Sequence, residues 1–326
     1  MEYTLEYPTI ASERIDKYIN SQIPELSRSY IQQLIQNKQV LVNDKECKSN
    51  YKCKPSDHIY IQVDEPKELD VMPEDIPLDI VYEDASIIII NKPKHMVVHP
   101  APGHASGTLV NALLYHCKDS LSSINGVIRP GIVHRIDQNT TGILVICKND
   151  HAHKLLAEQL KEHSITRKYH AICYGTFKEP TGTINAPIGR HPIDRKKMAI
   201  NHKNGREAIT HYRVLERLGY VTLVECRLET GRTHQIRVHM KHIGHTLFND
   251  ERYGGHEILK GTTFTKYKQF VQNCFAICPR QALHAKTLGF VHPMTGEELF
   301  FDSEMPEDMQ QLVERWRIYA STKELE

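Results

Sequence analysis

Apolar residues recur at helical spacing near the start of the chain, at Ile15, Tyr18, Ile19 and Ile23 and again at Ile31, Leu34 and Ile35, which predicts two short amphipathic helices. Ser27 stands where it can cap the second. The period then drops to two. Val40 and Val42 alternate before an Asn43-Asp44 turn, and Ile59, Ile61 and Val63 alternate again as a closing strand. Residues 1–63 thus form a unit of about 60 residues, near the lower limit for independent folding. Residues 64–77 (DEPKELDVMPEDIP) are acidic, hold three prolines and show no apolar period, so they are expected to link two domains.

A second domain is predicted over 78–326. LDIVYEDASIIIINKP reads as strand, turn and buried strand, residues 106–117 as an amphipathic helix, TGILVICKN as another buried strand, and HAHKLLAEQLKE as a second helix. TRKYHAICYG, EAITHYRVLERL, YVTLVECRLET and THQIRVHM then read as strands joined by short turns and one basic loop. The class implied is α+β, a mixed and largely antiparallel sheet flanked by helices. No internal repeat or low-complexity segment interrupts it.

Composition narrows the picture without deciding it. The 326 residues can bury a sizeable core, no apolar run reaches the roughly 20 residues of a membrane span, and MEYTLEYPTI lacks the features of a signal peptide, so the cytoplasm is expected. The eight cysteines include no CxxC, and Cys147, Cys173 and Cys226 lie in strand-like runs, so they read as reduced core residues. The net charge of +1 hides local patches: residues 26–54 carry six Lys/Arg against Asp44 and Glu46, and residues 190–206 carry six against Asp194 alone. An acidic stretch, 302–326, cancels them in the sum. Arg28, Lys38, Lys45, Lys48, Lys52 and Lys54 can converge on phosphates, as can Arg195, Lys196 and Lys197 in the hairpin-like loop 190–208; solvated surface charge is the alternative for both.

The densest chemistry lies in RPGIVHRIDQNTTGILVICKN, residues 129–149, where His134, Arg135 and Asp137 crowd a Pro-Gly-punctuated loop just before a strand. By pattern alone, Asp137 could equally be a turn former or a partner of Arg135. This segment resembles the signature of the RluA-type pseudouridine synthases, His-Arg-hydrophobic-Asp followed by a polar turn and a Thr/Ser-Gly-aliphatic strand. Four further blocks resemble that family in order: IIIINKPKHMVVHPAPGH (87–104), KYHAICYG (168–175), LETGRTHQIRVHMKHIGHTLFNDERYGG (228–255) and RQALHAKTLGFVHPMTGEE (280–298). Residues 12–63 resemble the S4 RNA-binding domain, a combination most similar to the synthases of large-subunit ribosomal RNA.

The resemblance implies that uridine in RNA is isomerised to pseudouridine, with Asp137 adding to a sugar carbon or taking a proton from the sugar. It further implies that Arg135 fills the space of a flipped-out uridine, that Tyr169 packs against the flipped base, and that Arg232 pairs with Asp137 to keep it ionised. His134 is a further candidate beside the substrate. The reaction gains no atom, and the absence of a Walker loop or GxGxxG motif fits an enzyme needing no cofactor. The expected partner is ribosomal RNA, and the chain is expected to act as a monomer. His234, His239, His242 and His245 invite a metal reading, which is set aside because no cysteine ligands lie near and His234 belongs to the Gly-Arg-Thr-His-Gln turn. Residues 256–279 depart from the family pattern and read as a partly helical surface excursion. Two other functions are possible for such a scaffold, RNA binding without catalysis and glycosidic hydrolysis by paired carboxylates, though no second acid lies near the loop.

Overall fold

In the computed structural model, which describes residues 2–8, 12–23, 26, 28–63, 71–100, 104–118, 120–122 and 130–323, the chain divides into two units, Met1–Glu68 and Leu69–Glu326. In the first, strand β1 (Glu2–Glu6), helices α1 (Ile15–Gln22) and α2 (Arg28–Gln36), and strands β2 (Val40–Val42), β3 (Lys45–Glu46) and β4 (His58–Gln62) follow in order. The strands form an antiparallel sheet ordered β1-β4-β2-β3. Both helices bury the residues that set their period, with Ile15, Ile19, Ile31 and Leu34 against Ile59 and Ile61. Asn43 and Asp44 take φ of 49° and 60°, the left-handed pair that a two-residue hairpin turn requires. Strand β1 was not foreseen: it pairs along its length with β4, from Glu2 opposite Gln62 to Glu6 opposite His58. Ser27, expected to cap α2, lies outside the described residues.

The second unit holds β5 (Ile80–Glu83), β6 (Ile87–Lys92), α3 (Leu109–Cys117), β7 (Thr141–Cys147), α4 (Asp150–Lys161), β8 (Thr166–Tyr174), β9 (Thr181–Asn185), β10 (Ile188–Arg190) and β11 (Met198–Ile200). After these come β12 (Ile209–Leu218), β13 (Val221–Leu228), α5 (Gln235–His242), α6 (Thr265–Ile277), β14 (Leu283–Val291), β15 (Glu298–Asp302) and α7 (Glu307–Lys323). Nine strands form one sheet, ordered β5-β6-β7-β14-β8-β13-β12-β9 with β15 on β14, and only the β7–β14 pair is parallel. The fold is therefore the α+β class expected, with a largely antiparallel sheet. Thr108 caps α3 through a capping box with Asn111, and Asn149 caps α4 by accepting from the Ala152 N–H. Val71, in the segment read as connecting, is buried in the core of this unit, and the Met72 carbonyl accepts from Asn111.

Two readings change. THQIRVHM is not a strand: Gln235–His242 is helical, and every residue from Gln235 to Met240 is buried. A helix packed on all sides leaves no amphipathic stripe, so the alternation of Ile236, Val238 and Met240 with polar residues mimicked a strand. The excursion 256–279 is only partly at the surface, since α6 buries Tyr267, Val271 and Cys274 in a cluster with Trp316 of α7. The cysteines are free and, Cys47 aside, buried. Among the described residues no helix is long and apolar enough to cross a membrane.

Candidate active site

The loop bearing Asp137 enters β7 in the middle of the large sheet. Gly142 of β7 lies opposite Ala285 of β14, and Ala285 lies opposite Tyr169 of β8. This register puts the loop and the Tyr169 ring at one sheet end, around a cavity of about 500 Å³ lined by Asp137, Tyr169, Arg167, His234 and Arg237. Gly142 has φ of +112°, and a Cβ there would stand 2.1 Å from the Ala285 carbonyl oxygen, so only glycine lets β7 approach β14 where the loop ends.

Four contacts fix the loop itself. Ile136 is buried beneath it, and His134 Nε2 accepts from the Val145 N–H at 3.1 Å. The buried Lys92 Nζ lies 2.7, 2.9 and 2.9 Å from the carbonyls of Pro93, Met96 and Gln138, three acceptors that favour its charged form, while burial and Arg280 push it down to about 7. Arg280 donates to the Asn139 carbonyl at 2.9 Å while Asp308 of α7 holds its guanidinium with two bonds of 2.9 Å. A polar loop thus acquires the rigidity of the strands and helix behind it.

Asp137 Oδ2 accepts from Arg237 Nη1 at 2.8 Å, with the Asp137 side chain 20% and the Arg237 side chain 7% exposed. The other face of Arg237 is gripped by the buried Asp250, Nε at 2.7 Å and Nη2 at 2.8 Å, and the guanidinium lies 4.9 Å from the centre of the Tyr253 ring. His234 Nε2 stands 3.8 Å from Asp137 Oδ1. Burial works against the charge on Asp137, but His234, Arg237 with its hydrogen bond, and Arg135 outweigh it and hold the carboxyl below its ordinary value. Burial, only partly offset by Asp137, pushes His234 down to about 4, so near neutrality the positive charge beside Asp137 belongs to Arg237. Burial also raises the Tyr169 phenol, against the Arg167 guanidinium and with the Asp137 charge.

The resemblance had implied that Arg232 pairs with Asp137, and that pairing is corrected. Arg232 lines the same cavity, but its Nε donates to the Glu207 carbonyl at 2.8 Å and its backbone N–H to Gln235. The chain turns at His234, whose φ of 56° starts α5, and it is the first helical turn that aims inward. His234 and Arg237 are three residues apart, hence on one helix face. Reading THQIRVHM as a helix would have found Arg237; reading it as a strand hid it. Lys92 and Asp250 lie inside the resembling blocks 87–104 and 228–255, but the sequence assigned neither a role.

The other candidates are dispersed. Arg135 is exposed on the rim, with Nη1 3.3 Å from His99 Nε2. His134 faces the strand behind the loop, and burial with the nearby Arg167 pushes it down to about 3, so it is a neutral acceptor. Arg28 pairs with Asp16 at 3.0 Å, where burial opposes ionisation but Gln32, Arg14 and Arg28 hold the carboxyl at about 2. Lys38 pairs with Glu46, and Lys52 is exposed. Arg195 and Lys196 lie exposed in the β10–β11 hairpin, with Lys197 3.6 Å from Asp194. Among the histidines of the metal reading, His239 is buried between Thr210 and the Ala186 carbonyl, and His245 stacks on Phe177.

The cavity thus gathers Asp137, Arg237 and Tyr169 in the second unit, while the first is a small unit of helices and strands. Residues 86–242 match the family model for RNA pseudouridylate synthase, and residues 13–59 match that for the S4 domain. An uncharacterized RNA pseudouridine synthase of Bacillus subtilis is 50% identical over 94% of this chain and 95% of its own. The ribosomal large subunit pseudouridine synthase D of Zymomonas mobilis is 46% identical, covering 92% of each. The solved structure of human RNA pseudouridylate synthase domain containing 4 superposes with a TM-score of 0.55 at 26% identity, over 73% of this chain and 92% of that one. The chain belongs to the RNA pseudouridine synthase family, whose members are isomerases.

Proposed function

We propose that this chain converts specific uridines of large-subunit ribosomal RNA to pseudouridine, with Asp137 as the nucleophile or base acting on a flipped-out uridine. The observation that carries the reading is the Asp137–Arg237 pair at 2.8 Å in a cavity also lined by Tyr169. An ionised carboxylate can attack the ribose C1′ or take a neighbouring sugar proton once the base has left the stack, and Arg237 keeps it ionised and aimed. The Tyr169 ring restores stacking to the flipped base, Arg135 on the rim fills the space left behind, and His134 and Arg232 border the substrate. Arg28, Lys38 and Lys52 of residues 1–63, with Arg195, Lys196 and Lys197 of the hairpin, contact phosphates and position the RNA. The large-subunit assignment draws on the names of relatives such as that of Zymomonas mobilis. The enzyme works as a cytoplasmic monomer without a cofactor, residues 64–77 joining the S4 unit to a catalytic domain over 78–326.

The test is release of tritium from ribosomal RNA labelled at uracil C5. The native protein should release tritium and no free uracil, and Asp137→Ala should lower the rate more than about 10³-fold. Release that survives the substitution sinks the assignment of Asp137. No release by the native protein from any cellular RNA would favour a binding protein, and free uracil would indicate hydrolysis.

A further inference from the structure

The Tyr253 hydroxyl meets one ring nitrogen of His234 and leaves the other toward the cavity. Its oxygen accepts the Met198 N–H at 3.0 Å and lies 2.8 Å from His234 Nδ1. The geometry points to the tautomer in which the hydroxyl donates to Nδ1 and the imidazole carries its own proton on Nε2. That nitrogen faces the cavity beside Asp137 Oδ1 at 3.8 Å, too far for a hydrogen bond, while Arg237 takes the other carboxylate oxygen. His234 is therefore a donor held in the site and not spent on the carboxylate. Its backbone keeps φ 56° and ψ 22°, the left-handed region, at the one residue that swings this ring inward, the kind of strain that persists at functional positions.

We propose that His234 is a further catalytic residue, its Nε2–H donating a hydrogen bond to a carbonyl oxygen of uracil as the glycosidic bond breaks. This rests on the reading that Asp137 acts on uridine. When N1–C1′ breaks, its electron pair stays on the base, whose negative charge spreads over N1, O2 and O4. Asp137 meanwhile forms a bond to C1′ or takes the C2′ proton. The C5–C1′ bond then forms as the Asp137–C1′ bond breaks, or as Asp137 returns its proton to C2′; the C5 proton leaves to solvent and N1 takes one up. His234 is neutral throughout, transferring no proton. An imidazolium would instead pair with Asp137 and blunt it, whereas a neutral N–H stabilises the departing anion and leaves the carboxylate free. Tyr253 is a positioning residue that holds this tautomer.

The experiment compares single-turnover loss of uridine and of 5-fluorouridine from otherwise identical ribosomal RNA transcripts. Fluorine withdraws electrons and makes the base a better leaving group, so it lessens the need for a donor. His234→Ala should slow loss of uridine by about 10²-fold, with RNA affinity within about twofold, and that deficit should shrink at least ~fivefold on 5-fluorouridine. His234→Gln, which keeps an N–H donor, should recover part of the rate; Tyr253→Phe should show a smaller loss with the same dependence on fluorine. If His234→Ala fails to fold, these two variants decide. Equal deficits on both RNAs, or unchanged rates, overturn the proposal. Asp137→Ala separates the layers: if it still consumes either RNA the underlying reading falls, whereas if it is inert and the His234 deficits are equal, only this inference falls.

Discussion

Arg237 is held between two carboxylates, Asp137 and the fully buried Asp250, so its removal takes the nearest cation from both among the described residues. Arg237→Ala should cost about 3–5 kcal/mol in urea unfolding, as breaking a buried ion pair does. It should also let the Asp137 carboxyl rise, since Arg237, with its hydrogen bond, is one of the neighbours, after His234 and with Arg135, that hold it down. Arg232→Ala loses one solvent-exposed hydrogen bond to the Glu207 carbonyl and should cost no more than about 1.5 kcal/mol. If the two variants lose equal stability, the pairing described for Arg237 is wrong. At this scale the family resemblance named Asp137 and Tyr169, which line one cavity, but paired Asp137 with Arg232 instead of Arg237, because two arginines five positions apart can be told apart only by knowing where the helix begins.

The elements behind the loop matter as much as its residues. The parallel β7–β14 contact depends on Gly142, and β7 carries the loop straight into the sheet. Gly142→Ala meets the Ala285 carbonyl at 2.1 Å with φ of +112°, and should cost about 3 kcal/mol or more together with most of the activity. Gly244 is the control, because φ is +83° there but a Cβ meets open space; Gly244→Ala should cost only about 1–2 kcal/mol. Calorimetric melting of both reads the difference, and similar losses would mean that backbone strain, not the close approach, decides. The periodic elements were legible from sequence: α1, α2, α3, α4 and most strands fall where the apolar period puts them. Helix α5 was not, since a helix buried on all sides shows no stripe.

Across the whole molecule, buried neutral histidines tie stability to pH. Burial holds His134 at about 3 and His234 and His284 at about 4, against an ordinary value of 6.5. Between pH 6.5 and these lower values the unfolded chain binds more protons than the folded one, so stability is present at neutral pH and lost as pH falls. Each histidine contributes a loss of ~1.4 kcal/mol for every pH unit in that window. Urea midpoints should therefore drop clearly from pH 7 to pH 5; a flat profile would show that these rings are not held neutral in the fold. The net charge of +1 forecast none of this, being a sum over an acidic C-terminal stretch and two basic patches.

The sequence by itself determined the α+β class, the S4-like start, the loop bearing Asp137 and the strand bearing Tyr169, because period, turn chemistry and motif spacing are local properties. Tertiary structure alone decided the carboxylate's partner, for Asp137 and Arg237 lie 100 residues apart and meet only when α5 packs against the loop. It likewise decided that Lys92 and Arg280 brace that loop, that Asp250 grips Arg237, and that the Tyr253 hydroxyl meets His234 Nδ1. Each is a hydrogen bond between distant segments, and burial, which makes an unmet partner costly, is what gives it force.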